Sequence, residues 1–257
     1  MDDYLKLAKE IAAEAAQIAL TYFNFEIKTT WKNNNTPLTE ADTEINSLVI
    51  KKIRAIYPDH GILGEEESDL KKGSECVWVC DPIDGTIPFS NGLPLFTFSL
   101  ALIDQSNGQP ILGLVNDPVM KHMYWACSGG GAYRNGKRIS VSRDATLRNT
   151  YLNVGCSQTS GEFSGMSAIV SLRNAGANVM ELLSVVYGGI QVANGKFSGT
   201  IFFEPFAHDV AALKIITEEA GGKVTDLKGG ERRYDGKGLG CVVSNGAVHK
   251  EILALLR

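Results

Sequence analysis

The chain has 257 residues, 44% of them hydrophobic, enough to bury a full core as one large domain or as two halves sharing an interface. Lys and Arg number 25 against 29 Asp and Glu, and a net charge of −4 excludes the broad basic footprint of a nucleic-acid polymer binder. Five cysteines, Cys76, Cys80, Cys127, Cys156 and Cys241, are odd in number and lack zinc-type spacing, so they read as free thiols in a reducing compartment.

The N-terminal stretch LAKEIAAEAAQIAL mixes charges into its apolar positions and is neither a signal peptide nor a membrane span, which points to a cytoplasmic protein. Leu5, Ile11, Ala15, Ile18 and Ala19 recur at helical spacing and predict an amphipathic helix over residues 3–23. A polar loop follows. Thr39 is then a candidate N-cap for a second helix carrying Ile45, Leu48, Val49 and Ile53, which ends at Pro58. Beyond it, GIL is a short apolar run leading into Glu65, Glu66 and Glu67, and CVWVCDPIDGT reads as a strand that stops at Asp81. TFSLALID and the run from PILGLVND to MYWAC supply further strands, and Asn135-Gly136 suits a tight primed hairpin turn. The glycines before that hairpin form no nucleotide loop, because no Lys-Ser or Lys-Thr pair follows them at the required spacing.

In the last part of the chain, TYLNVGC predicts a strand, residues 164–175 and 178–195 predict two helices, and a further helix begins at Asp209. Helices first, then antiparallel strands, then alternating strands and helices describe an α+β fold. We divide it into an N-terminal half, residues 1–145, carrying most of the candidate acidic groups, and a C-terminal half, residues 146–257, which adds Asp209.

The acidic groups suggest the chemistry. Two predicted strands deliver Glu65, Glu66 and Glu67, and Asp81 and Asp84, at their ends, with spacing alone not choosing among the three glutamates, and Asp209 stands at a helix start, where it either caps the helix or ligates a metal. Asp-Pro and Asp-Gly pairs also make ordinary turns. Like charges gathered this closely repel one another unless cations enter, and hard oxygen donors suit Mg²⁺, which commonly bridges a substrate phosphate. A helical turn after Asp84 would offer free N–H groups to an anion, with Gly85 allowing close approach and the Thr86 hydroxyl orienting an attacking water. His60, His122, His208 and His249 are too scattered for a nucleophilic triad, and only His208 adjoins a proposed ligand.

The ordered set GEE at residues 64–66, DPIDGT at 81–86, NGLPLFTFSLAL at 91–102, GGGAYRNGKRISVS at 129–142 and HDVAALKIITEEAGG at 208–222, with PLTEAD at 37–42 upstream, resembles the inositol monophosphatase family of Mg²⁺-dependent, lithium-sensitive phosphatases. The resemblance implies a five-layered α-β-α-β-α alternation of helices and sheets, as in sugar phosphatases. It also implies that Glu65, Asp81, the Ile83 carbonyl, Asp84 and Asp209 hold two or three Mg²⁺ ions, which activate water for direct attack on phosphorus. Asp42 would help Glu65 and Thr86 position that water, and Lys32, with Lys28 the runner-up, would approach the site. Gly85 and Thr86 resemble the family's phosphate contacts, with Asp84 beside them, and the usual assembly is a homodimer.

Departures from the pattern concern the substrate. His208 replaces a common tryptophan, and Phe202 and Ser198 stand where inositol phosphatases carry carboxylates. Glu204 lies two residues beyond Phe202, and the stretch from Arg173 to Gly195 is longer than in typical members. Inositol 1-phosphate is the first expectation, contacted by Glu204 and His208. Histidinol phosphate, fructose 1,6-bisphosphate and adenosine 3',5'-bisphosphate are the alternatives, and a catalytically silent metabolite-binding or regulatory protein is the alternative of another class.

Overall fold

The computed structural model describes residues 1–23, 27, 29–31, 37–155, 159–203, 206–236 and 240–256. The chain opens with α1 (Asp2–Tyr22), the short strands β1 (Thr29–Trp31) and β2 (Pro37–Thr39), and α2 (Glu40–Ile56). Next come β3 (Gly61–Gly64), β4 (Cys76–Asp84) and the single turn α3 (Thr86–Ser90). A meander follows in β5 (Thr97–Asp104), β6 (Gln109–Asp117), β7 (His122–Cys127), β8 (Gly131–Arg134) and β9 (Lys137–Arg138). The remainder is β10 (Tyr151–Val154), β11 (Thr159–Ser160), β12 (Phe163–Ser164), α4 (Gly165–Asn174), β13 (Asn178–Met180) and α5 (Val185–Ala193). It closes with β14 (Gly199–Phe202), α6 (Ala207–Glu219), β15 (Lys223–Thr225), β16 (Cys241–Ser244) and α7 (His249–Leu255).

Side-chain alternation along β4 explains the layering. Trp78 and Cys80 face a core made with Leu7, Ile11 and Ala15 of α1 and Ile45, Val49 and Ile53 of α2. Val77 and Val79 face the opposite way, into a second core with Val186 and Ile190 of α5 and Val210, Leu213 and Ile216 of α6. That second core also takes Val224 and Val243 from the other sheet. The far face of the other sheet buries Leu152, Ile201 and Val242 against Leu172 of α4 and Ile252 of α7. The five layers are therefore α1/α2, the sheet ordered β3-β4-β5-β6-β7-β8-β9, α5/α6, the sheet ordered β13-β10-β14-β16-β15, and α4/α7.

Several sequence expectations fall in place, and two are corrected. Helix α1 and the hairpin between β8 and β9 match, the latter turning through Asn135 and Gly136 at φ 49° and 78°. The strand expected to stop at Asp81 instead runs to Asp84. The helix expected over residues 178–195 divides: β13 pairs in parallel with β10, Leu183 takes φ 55°, and Ser184 caps α5 by accepting the Tyr187 amide at 3.2 Å. Met180, Glu181, Leu182 and Leu183 are good helix formers, but a free edge on β10 outbids a preference worth only tenths of a kcal/mol per residue (about 0.2–0.7). No helix among the described residues is long and apolar enough to cross a membrane.

Candidate active site

Strands β3 and β4 run in parallel, with Gly64 opposite Cys80, and the Glu65 amide extends the pairing by donating to the Cys80 carbonyl at 3.1 Å. Both strands thus release their acidic residues at the same edge. Gly64 makes the turn there: a Cβ on it would lie 2.3 Å from both Asn46 Oδ1 and the Glu67 carbonyl. Asn46 Nδ2 donates to that carbonyl at 3.0 Å, which ties the acidic turn to α2. With the turn so held, Glu65 is the member of the glutamate triplet that meets Asp81.

The spacing of Asp81 and Asp84 has a geometric explanation. Residues three apart on a regular strand point to opposite faces. Here Asp81 pairs with Ser99 and Asp84 with Thr97, so β4 spends one residue more than β5 across this stretch. The bulge restores both carboxylates to one side, and Pro82, with no amide hydrogen to offer the ladder, is tolerated within it. Ligand atoms of Asp81, Asp84 and Asp209 lie within 4.8 Å of one another, as do those of Glu65, Asp81 and His208. Asp81 belongs to both groups.

Helix starts supply the remaining acids by one shared device. Asp42 and Asp209 each occupy the third position of their helix and reach back to the capping residue. Asp42 Oδ2 accepts from the Thr39 amide at 2.8 Å and the Thr39 hydroxyl at 2.5 Å, leaving its buried Oδ1 without a partner among the described residues. Asp209 Oδ2 accepts from the Phe206 amide at 2.5 Å. Asp84 is held differently, by the Ser184 hydroxyl, the Val185 amide at 2.8 Å and the Tyr187 amide at 3.2 Å, so the start of α5 points at it. Thr97 Oγ1 adds a longer contact at 3.4 Å. Sequence reasoning missed Ser184 and the α5 amides because it ran a continuous helix through them. A serine directly before the apolar run VVYGGI was the available signal.

Burial dominates the electrostatics. Desolvation pushes the Asp42 and Asp209 carboxyls up to about 7 and that of Asp84 up to about 6, with Glu65 adding repulsion for the first two and Asp209 for the third. Asp81, 2% exposed, is raised well above the carboxylate range by the same burial and by Glu65, Asp84 and Asp209. Hydrogen bonds from Thr39, Phe206 and Ser184 oppose these shifts without cancelling them.

Gly85 adopts φ 85°, and a Cβ there would meet the Leu95 carbonyl at 2.5 Å, so both its conformation and its neighbour exclude a side chain. Thr86 Oγ1 donates to the Ile83 carbonyl at 3.1 Å, leaving the hydroxyl oxygen free to accept. His208 lies with Glu65 and Asp81, its Nε2 3.9 Å from Asp209 Oδ2. Ser198 donates to Asp144 Oδ2 at 2.6 Å, away from any ligand role. Lys28, Lys32, Glu204 and Cys156 lie outside the described residues. Beside Asp84, a small cavity is lined by Ile87, Asn153, Glu181, Leu183, Val185 and Phe202. Glu181 is a carboxylate there that sequence reasoning did not single out.

The donor set fits hard divalent cations. Buried oxygens from several segments converge, the Oδ1 of Asp81 has no hydrogen-bond partner among the described residues, and burial together with mutual repulsion raises the pKa of these acids, both of which a bound cation would offset. Such a centre on a five-layer fold defines a metal-dependent phosphatase. Residues 1–257 match the inositol monophosphatase family, and the chain belongs to it. It is therefore a phosphomonoester hydrolase of a metal-dependent family. A fructose-1,6-bisphosphatase/inositol-1-monophosphatase of Thermotoga maritima is 35% identical over 233 residues, 91% of this chain and 86% of that one. A histidinol-phosphatase of Chlorobaculum parvum is 33% identical over 255 residues, 98% of this chain and 96% of its own length. The solved structure of a Thermotoga maritima IMPase superposes with a TM-score of 0.87 at 30% identity, covering 99% of this chain and 96% of that one. These relationships set aside a catalytically silent binding protein.

Proposed function

We propose that the chain is a Mg²⁺-dependent hydrolase of small phosphorylated polyols, with inositol 1-phosphate the first substrate. The observation that carries this reading is the pair of ligand groups sharing Asp81, whose buried Oδ1 has no partner among the described residues. Glu65, Asp81, Asp84, Asp209 and the Ile83 carbonyl are the assigned ligands. When bound, divalent cations supply positive charge to the phosphoryl oxygens and acidity to a nucleophilic water. The protein's part is positioning. Glu65 and the Thr86 hydroxyl orient the water, Asp42 supports them through its uncommitted Oδ1, and the bare backbone at Gly85 lets phosphate approach. Asp84, fixed by Ser184 and the α5 amides, holds its ligand geometry before substrate arrives. Lys32 and Glu204 keep their assigned roles near the water and the substrate, and His208 faces the same centre.

A specific observation favours histidinol phosphate as the second reading. Ile87, Leu183, Val185 and Phe202 make the cavity wall largely apolar, and Glu181 is its carboxylate. A wall of that kind suits a flat ring and an ammonium group better than a ring of hydroxyls, and the relative from Chlorobaculum parvum is named a histidinol-phosphatase. The test is kcat/KM with Mg²⁺ for inositol 1-phosphate, histidinol phosphate, fructose 1,6-bisphosphate and adenosine 3',5'-bisphosphate, repeated in Glu181→Gln. A preference of about tenfold for inositol 1-phosphate, about 1.4 kcal/mol, supports the first reading. The same preference for histidinol phosphate, lost in Glu181→Gln, establishes the second. Turnover that persists in excess chelator overturns both. Li⁺ is expected to inhibit only when Mg²⁺ is present, and equal rates in Na⁺ and Li⁺ would contradict that expectation.

A further inference from the structure

We infer that His208 supplies a nitrogen donor to the metal centre, so that the Glu65–Asp81–His208 end is a mixed oxygen and nitrogen site preferring Mn²⁺ or Zn²⁺ to Mg²⁺. The inference rests on the reading above that these carboxylates bind cations. A ring nitrogen of His208 and carboxylate oxygens of Glu65 and Asp81 lie within 4.8 Å of one another, and since bonds of about 2.0–2.2 Å hold two donors of one cation at most about 4.4 Å apart, binding would draw the three slightly inward. Asp81, 2% exposed, belongs to the same group and keeps an Oδ1 with no hydrogen-bond partner among the described residues.

The imidazole is also held for the task. His208 is the second residue of α6, directly before Asp209, and its side chain is 13% exposed. Its ring stacks on Phe206 with centroids 5.3 Å apart and planes 17° apart. Its Nε2 lies 3.9 Å from Asp209 Oδ2, within the range of an ion pair when the ring is protonated.

Donor chemistry then separates the two ends. Asp81, Asp84 and Asp209 offer oxygen alone, which suits Mg²⁺. An imidazole beside the oxygens favours first-row cations over Mg²⁺, least for Mn²⁺ and more strongly towards Zn²⁺, while Mg²⁺ gains little. The indole common at this position in the family has no lone pair for a metal, so the substitution adds a ligand rather than exchanging one.

Pulsed EPR of the full chain loaded with Mn²⁺ alone is the direct test, joined to calorimetric titrations with Mn²⁺ and with Mg²⁺. The expected result is a ¹⁴N coupling of the size given by directly bound imidazole. In His208→Gln that coupling disappears and the ratio of Mn²⁺ to Mg²⁺ affinity falls at least about tenfold. The assignment is unambiguous because the chain's other three histidines are engaged elsewhere. His60 accepts from Trp78, His122 lies beside Tyr124, and His249 sits between Thr225 and Ser244. Mn²⁺ binding without imidazole coupling in the unaltered chain overturns the inference and leaves the phosphatase reading intact, whether or not the variant folds. Coupling that survives in His208→Gln overturns it as well. Failure of the unaltered chain to bind either cation removes the reading that these carboxylates bind cations, and this inference with it.

Discussion

Asp84 accepts hydrogen bonds from Ser184, Val185 and Tyr187, whereas Asp81, three residues earlier, keeps an oxygen with no partner among the described residues. The two isosteric amide variants should therefore behave differently. Asp81→Asn removes a charge that burial disfavours, so Mg²⁺-dependent turnover should collapse while the melting temperature in chelator holds or rises. Asp84→Asn should lose turnover and also about 1–3 kcal/mol of stability, because its new amide donors face groups that already donate. Thermal melts of both variants in chelator separate these outcomes, and equal destabilisation would refute the distinction.

The same burial sets a pH dependence. Asp42 and Asp209 are raised from 3.8 to about 7, and Asp84 to about 6, so in the folded protein they hold protons that the unfolded chain releases. Their contribution to stability is complete below about pH 4 and is lost as the pH rises through 6 and 7. The metal-free protein should accordingly melt at lower temperature at pH 8 than at pH 5, and saturating Mg²⁺ should narrow the difference. Fluorimetric melts in chelator and in Mg²⁺ measure it. A metal-free protein that gains stability over this range would contradict the assignment.

At the scale of elements, α7 depends on its first residue. His249, 1% exposed, contacts Thr225 Oγ1 through Nε2 at 2.9 Å and Ser244 Oγ through Nδ1 at 2.8 Å. The Thr225 hydroxyl already donates to the Asp226 carbonyl at 2.8 Å, so Nε2 carries the proton and Nδ1 accepts. Burial lowers the imidazole pKa from 6.5 to about 4, favouring the neutral ring. The stability this confers is complete above about pH 6.5 and is lost as the pH falls through 4, a change of at most about 3 kcal/mol. His249→Asn should be less stable at neutral pH and should show a shallower decline between pH 6.5 and 4. Urea unfolding at several pH values checks this, and parallel profiles for the two proteins would exclude His249 as the group responsible.

Whole-molecule behaviour follows from the middle layer. Val186, Ile190, Val210, Leu213 and Ile216 of α5 and α6 pack against Val77, Val79 and Val115 of one sheet and Val224 and Val243 of the other. The proposed halves, residues 1–145 and 146–257, thus share one core. We expect a single unfolding transition by calorimetry and no stable fold for residues 1–145 alone; two resolved transitions would favour independent halves. Assembly is argued from surface apolar groups. The apolar run FTFSLAL is buried in and beside β5, while the apolar side chains of Met120 and Leu183 are exposed. We propose a homodimer, to be seen in sedimentation as twice the chain mass at micromolar concentration. A monomer there would reverse the proposal.

Much was legible from local pattern because the causes are local. Helical spacing in α1, the N-cap at Thr39, the Asn135-Gly136 turn and the acidic ends of β3 and β4 each reflect interactions within a few residues. So does the choice of oxygen-rich segments for the site. What needed the tertiary structure is each decision taken between distant segments. β10 claimed residues 178–180 as a parallel partner, and Leu183 then broke the expected helix so that α5 could aim Ser184 and its first amides at Asp84. A bulge against β5, invisible in the spacing of Asp81 and Asp84, turned both carboxylates to one side. Docking on Asn46 selected Glu65 among three adjacent glutamates, and α6 carried His208 to it across more than half the sequence. Sequence determined which chemistry the chain carries, because residue type and local propensity are written in it. Only packing decided which groups meet, because strand register and helix placement are settled by burial shared among segments far apart in the chain.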